Sequence, residues 1–276
     1  MTVSPAGNRY EVLRAGTGNP PKSGDFVYFH ATMQTEGDSV LVNTREVGGD
    51  LPVMKVAPDS LVDNEQIGPV EDVIRFLRVG DSAVVRVNLA QFPSKPPGME
   101  NDSVLLYYIM PQEIVSEEEF TERQNKLQAE MEAKRAAVTA REPEMLEFAE
   151  SVHRDYKAGK LADVQTTESG LKYVIHEEGS GPRAEVGRGV VVQYIGKLVE
   201  NGNVFDQSFQ RGQGIPFPLG QGRVIPGWDE GIALLKEGAR ASLFIPAELG
   251  YGAQGAGGDI PPNSELMFYV ELEEVQ

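Results

Sequence analysis

The chain has no cysteine among its 276 residues, which removes disulfide scaffolds, thiolate nucleophiles and cysteine-based zinc sites together. Histidine is nearly as scarce. His30, His153 and His176 lie far apart, whereas zinc sites usually pair ligands at short spacing, so each reads as a surface or internally bonded side chain. Positive charge is also in deficit. Lys and Arg number 25 against 42 Asp and Glu, and the net charge of −17 repels phosphate backbones, which argues against a nucleic-acid partner. No apolar run approaches the ~20 residues of a membrane span. Met1-Thr2-Val3-Ser4-Pro5 has neither a basic flank nor an apolar core, so no signal peptide is visible, and an exported protein would have lost its leader. Two catalytic signatures are missing as well. There is no Gly-x-Ser-x-Gly elbow, and Gly220-Gln221-Gly222 runs into Arg223-Val224-Ile225 without completing Gly-x-Gly-x-x-Gly.

What is present supports two ordinary domains: the length suffices, and 40% hydrophobic residues supply packed cores. The most informative run is Val224-Ile225-Pro226-Gly227-Trp228, answered by Tyr251-Gly252 and then Ile260-Pro261-Pro262. These place the one tryptophan, a tyrosine and several branched apolar residues where a shallow apolar cup can form.

Three zones follow along the chain: 1–114, a helical linker over 115–162, and 163–276. In the linker, Ser116 with Glu119 reads as a capping box opening a helix over about 116–141. Phe120, Leu127, Met131 and Val138 fall on one stripe of it. Glu142-Pro143 should end that helix, because the ring removes a donor and restricts the residue before it. A second helix runs over about 143–158, closed by Gly159. The stripe reads first as packing on the chain's own domains, with a coiled-coil dimer as the sharper alternative.

The flanking zones read as sheets with one short helix each. Leu266, Phe268, Val270 and Leu272 alternate with Glu265, Met267, Tyr269 and Glu271, the period of a strand with one buried face. Val190 to Ile195 and Ala239 to Ile245 are further strand candidates. Trp228, Ile232 and Leu235 form the apolar face of a short helix closed by Gly238. The first zone repeats the plan: Gly24 with Gly187, Gly80 with Gly238 and Leu105 with Leu266 are each about 160 residues apart, as expected of one duplicated unit.

From about Leu171 to Gln276 the sequence resembles the FKBP-type peptidyl-prolyl isomerases. The motifs that carry the resemblance are Gln193-Tyr194-Ile195-Gly196, Val204-Phe205-Asp206-Gln207-Ser208, Phe217-Pro218-Leu219-Gly220, Val224-Ile225-Pro226-Gly227-Trp228, Leu249-Gly250-Tyr251-Gly252 and Ile260-Pro261-Pro262-Asn263, in order and nearly without gaps. The resemblance implies an α+β fold of two FKBP-like domains, each a twisted antiparallel sheet wrapped on a short helix. It implies a proline cup with Trp228 as floor and Tyr194, Phe205, Val224, Ile225 and Phe268 as walls. Ile215, Phe217 and Ile260 join the substrate side, Asp206 sits at the rim paired with Arg211, and the loop Ala253 to Ile260 overhangs. The Ile225 N–H and the Tyr251 hydroxyl would anchor peptide carbonyls. Ile215 stands where many relatives carry an aromatic residue, and Ala256 and Asp259 replace bulkier loop residues, which bears on substrate preference and on affinity for macrolide inhibitors.

The chemistry agrees. Turning an X–Pro bond meets a barrier of about 20 kcal/mol set by amide resonance, and an apolar cup favours the less charge-separated twisted state. No cofactor, metal, nucleophile or general base is needed. In the first zone, Ala31 stands at the Tyr194 position, Leu41-Val42 or Val42-Asn43 at Phe205-Asp206 and Val70 at Trp228, so that zone is expected to be catalytically silent. The expected function is acceleration of protein folding on proline-containing chains, with a holdase chaperone or scaffold as the alternative. A bacterial periplasm or envelope is the expected location, the cytoplasm its alternative, and a homodimer remains open.

Overall fold

The computed structural model describes residues 1–62, 67–89 and 102–276. The chain forms two compact units, Met1–Leu127 and Gln128–Gln276, and the division falls inside a helix.

The first unit runs β1 (Thr2–Val3), β2 (Arg9–Arg14), β3 (Phe26–Thr35), β4 (Val40–Asn43), the single turn α1 (Thr44–Val47), β5 (Val53–Lys55), the single turn α2 (Asp59–Val62), α3 (Pro69–Ile74), β6 (Ser82–Asn88) and β7 (Val104–Val115). Its seven strands form one antiparallel sheet in the order β1-β2-β6-β7-β3-β4, with β5 also on β3. Pro69 opens α3 because its missing N–H would be unpaired there anyway. Val73, Ile74 and Leu77 from this segment are fully buried with Val27, Val85 and Ile109 of the sheet. Burying each such side chain contributes about 1.5–3 kcal/mol. The buried Asp72 carboxylate accepts hydrogen bonds from Ser4 and, at 2.8 Å, from the Asn8 amide, tying the first turn of the chain to α3.

Helix α4 (Glu117–Ala140) begins where the Ser116 hydroxyl accepts the Glu119 N–H at 3.1 Å. Its reciprocal partner is occupied elsewhere, since the Glu119 carboxylate pairs with Arg123 at 2.6 Å. Phe120 stacks on Phe26 with centroids 3.7 Å apart, and Val138 packs against a core at the other end. The middle of the stripe does not pack as the periodicity suggests: Leu127 and Met131 are each 52% exposed.

The second unit continues with α5 (Glu142–Lys157), β8 (Gln165–Thr166), β9 (Lys172–Glu177), β10 (Gly189–Leu198), β11 (Val204–Gln207), β12 (Ile215–Pro218), α6 (Pro226–Ile232), β13 (Arg240–Ile245) and β14 (Leu266–Val275). The sheet order is β8-β9-β13-β14-β10-β11, with β12 also on β10, which is the order of the first sheet strand for strand. Helix α6 lies close on this sheet. A Cβ on Gly231 would stand 2.6 Å from Leu243 Cδ1, so the small residue sets the approach of helix to strand.

Alternation in β14 suggests one buried face, and the structure covers both. Leu266, Phe268 and Val270 face the core around α6, while Met267 and Tyr269 pack with Ile195 and Phe244 against Met145, Ala149 and Val152 of α5. The second cover comes from the segment read as a linker, which a strand pattern alone does not reveal. Glu271 stays buried on that face because Arg141 at 2.6 Å and the Tyr269 hydroxyl at 2.6 Å satisfy it.

Candidate active site

On the α6 side of the second sheet lies an open hollow of about 390 Å3. Its floor is Trp228, placed by α6. Ile225 is the N-cap with extended backbone, Pro226 takes the first helical position, and Asp229 turns back to accept the Gly220 and Gly222 N–H groups at 2.8 and 3.0 Å. The Gly220-Gln221-Gly222 turn is thus a loop pinned by a carboxylate.

Part of the wall is a cluster of aromatic rings in mutual edge contact. Tyr194 meets Trp228 at 5.1 Å and 83°, Phe268 meets Trp228 at 5.2 Å and 88°, and Phe205 meets Phe268 at 5.5 Å and 83°. These edge-to-face contacts are the favoured arrangement of ring quadrupoles. Strand pairing brings the rings together, since Gly196 on β10 lies opposite Phe268 on β14 and Asp206 on β11. Trp228 is 3% exposed yet lines the hollow, and its indole N–H has no hydrogen-bond partner among the described residues.

Of the residues the sequence nominates, Tyr194, Phe205, Asp206, Ile215, Val224, Ile225, Trp228, Tyr251, Ile260 and Phe268 line this one hollow. Phe217 does not. It is buried beneath, 5.8 Å from Trp228 ring to ring, because it sits one alternation step beyond Ile215 on the same face of β12 and points into the core. Arg223, Ala256, Gly257 and Asp259 line the hollow in addition. Arg223 has no individual signature; only its place directly before Val224 gives it away.

The rim carries a polar network. The Tyr194 hydroxyl donates to Asp206, and Arg211 donates to Asp206 at 2.8 Å and to the Tyr194 oxygen at 2.7 Å. Burial, then the hydrogen bond to the Asp206 carboxylate, push the Tyr194 phenol up to about 12 against an opposing pull from Arg211. Burial works to raise the Asp206 carboxyl, but bonds from Tyr194 and Arg211 outweigh it and hold it below the usual carboxylate range. Tyr251, 40% exposed, has its phenol raised by burial and by the Asp206 charge, and its hydroxyl meets no partner among the described residues. The Ile225 N–H likewise meets no backbone acceptor among them. Loop residues Ala256 and Ile260 close on each other through paired backbone bonds of 3.0 and 3.1 Å.

A larger hollow of about 790 Å3 lies elsewhere in this unit, along Arg135, Arg141, Arg240 and Glu271. Its walls are mainly charged side chains and glycine, and it contains none of the aromatic cluster. The three histidines sit outside the cup with bonded rings: His30 on Thr44 at 3.2 Å, His153 on the Val199 carbonyl at 2.8 Å and His176 on Ser242 at 2.8 Å.

Comparison with known proteins points the same way. Residues 181–273 match the family model of the FKBP-type peptidyl-prolyl cis-trans isomerases. FK506-binding protein 1 of Dictyostelium discoideum is 52% identical over 103 residues, 37% of this chain and 95% of that protein. A Haemophilus influenzae protein described as a probable FKBP-type peptidyl-prolyl cis-trans isomerase is 50% identical over 121 residues, 44% of this chain and 48% of that protein, so the match spans about half the length of that relative. The crystal structure of FkpA from Escherichia coli aligns at 39% identity over 58% of this chain and 69% of that one, with a TM-score of 0.40.

Proposed function

The chain belongs to the FKBP-type peptidyl-prolyl cis-trans isomerases, and we propose that its reaction takes place in the cup over Trp228. The observation that carries this is an accessible hollow over Trp228 whose lining joins Tyr194, Phe205, Tyr251 and Phe268 to the branched apolar residues Ile215, Val224, Ile225 and Ile260.

A planar imide separates charge between its oxygen and nitrogen, and twisting removes much of that separation. Aromatic walls solvate the planar form poorly and the twisted form comparatively well, so the barrier of about 20 kcal/mol falls without any bond being made or broken. The proline ring seats on the indole. The free Ile225 N–H holds the carbonyl on one side of it and the Tyr251 hydroxyl a second carbonyl, which leaves the linkage between as the part free to turn. Asp206, kept ionised at the rim, orients the Tyr194 and Arg211 groups around the bound chain.

The first unit is proposed to be a degenerate copy without a cup. Its strand order matches that of the second, and its left-handed turn glycines Gly7, Gly24 and Gly80, at φ 83°, 90° and 82°, correspond to Gly170, Gly187 and Gly238 at 92°, 92° and 86°. Met33 stands in the register position of Gly196 and Val70 in that of Trp228, so a thioether and a small apolar group replace the space and the floor. The stretch where a counterpart of Tyr251-Gly252 or Ile260-Pro261-Pro262 would stand falls largely at 90–101, outside the described residues. A homodimer covering Leu127 and Met131 is the second partner proposed, with sedimentation equilibrium as its test. A bacterial envelope location is supported by the lack of cysteine and by bacterial relatives, and cell fractionation tests it.

The test of the cup is Trp228→Leu in the full chain, read by NMR exchange on a short X–Pro peptide. Loss of at least about tenfold in kcat/KM is expected if the floor contributes 1.4 kcal/mol or more. Unchanged exchange would remove the reaction from this cup, and exchange retained only in Met1–Leu127 would overturn the silent first unit.

A further inference from the structure

The rim of the cup depends on a loop with little support of its own. Between β11 and β12 the chain runs from Ser208 to Gly214, and Arg211 in this stretch supplies two bonds of the rim network, to Asp206 and to Tyr194. From the sheet side the loop is held by Ser208, whose hydroxyl accepts the Tyr194 N–H at 2.8 Å, and by the fully buried Phe209.

From the other side it is held by the end of α4 and the start of α5. Glu142 accepts from the Gln207 side-chain amide at 2.8 Å, and Thr139 donates to the Phe209 carbonyl at 3.2 Å. Arg135 donates to the Gln213 side chain at 2.8 Å, and the Arg141 guanidinium lies 5.7 Å over the Phe209 ring. At Gly212 the backbone itself meets the helix: φ is 68°, and a Cβ there would come 2.8 Å from the Arg135 carbonyl oxygen. The anchors therefore bracket Arg211, with Gln207 and Phe209 before it and Gly212 and Gln213 after it. Gln207 directly follows Asp206. Its own amide oxygen is buried without a partner, so the bond from its nitrogen to Glu142 is what tethers this side chain.

We propose that Arg135–Glu142 braces the rim of the active-site cup, with Glu142 and Thr139 as positioning residues that keep Arg211 and Asp206 in register with Tyr194. The inference rests on the cup over Trp228 being the reactive site. It makes the helical segment a part of the isomerase that a single domain cut at residue 163 would lack. A helix merely packed on the sheet would contribute stability alone; a brace contributes rate, and does so through Arg211.

The experiment uses the full chain and NMR exchange on Ala-Leu-Pro-Phe, comparing E142A, E142Q, Q207A, R211A, D206A and the double variant E142A/R211A, each checked for folding by circular dichroism. E142A and Q207A are expected to lower kcat/KM by about three- to tenfold, the scale of a modest misplacement of a binding group. E142Q keeps the acceptor oxygen and should stay within about twofold of the parent. In the R211A background E142A should cost almost nothing more, because both changes remove one unit. The brace is overturned if E142A and Q207A leave the rate unchanged while D206A lowers it, or if E142A costs its full factor on top of R211A. If D206A is silent as well, the assignment of the cup fails with it.

Discussion

Gly196 lies flush against the ring of Phe205. A Cβ built on this glycine would stand 2.7 Å from Phe205 Cζ and 2.8 Å from Phe268 Cε1, closer than real side chains approach. Gly196→Ala should therefore tilt both rings into the hollow above Trp228. Overpacking of this kind costs about 1–3 kcal/mol of stability, and the expected signature is a fall in kcat/KM larger than that on unfolding midpoint alone predicts. Parallel urea titration and peptide exchange separate the two.

The pH response follows from the rim. The folded pKa of Asp206 lies below its unfolded value, so its contribution is complete above about pH 4 and drains away as pH falls through the folded value. The Tyr194 phenol is raised to about 12, so the fold weakens as pH climbs from about 10 toward that value. Between these limits neither Asp206 nor Tyr194 changes charge. Exchange rates on an X–Pro peptide should be flat from about pH 5 to 9 if Asp206 and Tyr194 set the response, and a bell-shaped profile centred in that window would assign it to another group.

Tyr194→Phe removes the hydroxyl shared by Asp206 and Arg211 while keeping the ring on Trp228. The Asp206 carboxyl loses one of the bonds that hold it low, so its pKa should move up toward the ordinary range near 4. Carboxyl 13C chemical shifts followed through an acid titration report this directly. The ring stays in place, so kcat/KM should drop by less than for Trp228→Leu.

Arg141→Met probes the outer face of the second sheet. Glu271 keeps the Tyr269 hydroxyl and Arg240 at 3.5 Å but loses its 2.6 Å partner. A partly compensated buried carboxylate of this kind costs about 1–3 kcal/mol, visible as a lower thermal midpoint, and adding Glu271→Gln should recover part of the loss.

Much of this was legible in the residues themselves. The aromatic groups of the cup are far apart in the chain, and neither periodicity nor composition joins them; the linked family motifs do, because they place Tyr194 on β10, Phe205 on β11 and Trp228 on α6 in one order. The turn between α4 and α5 was legible for a local reason, the ring of Pro143. What escaped is what depends on a neighbour. Phe217 and Ile215 share a face of β12, and only the position of Trp228 decides which of them meets open space. The second buried face of β14 depends on where α5 comes to rest. Arg223 belongs to the hollow by adjacency alone.

The tip of the overhanging loop, Gly257 to Asp259, is closed by the mutual bonds of Ala256 and Ile260. Such a tip is a module. Gly257, at φ 54°, favours glycine, but Gly258 and Asp259 can be exchanged while the indole floor and the sheet keep their places, so under the proposed function the chains accepted at the cup could drift, or be redirected by design, without renegotiating how they are turned.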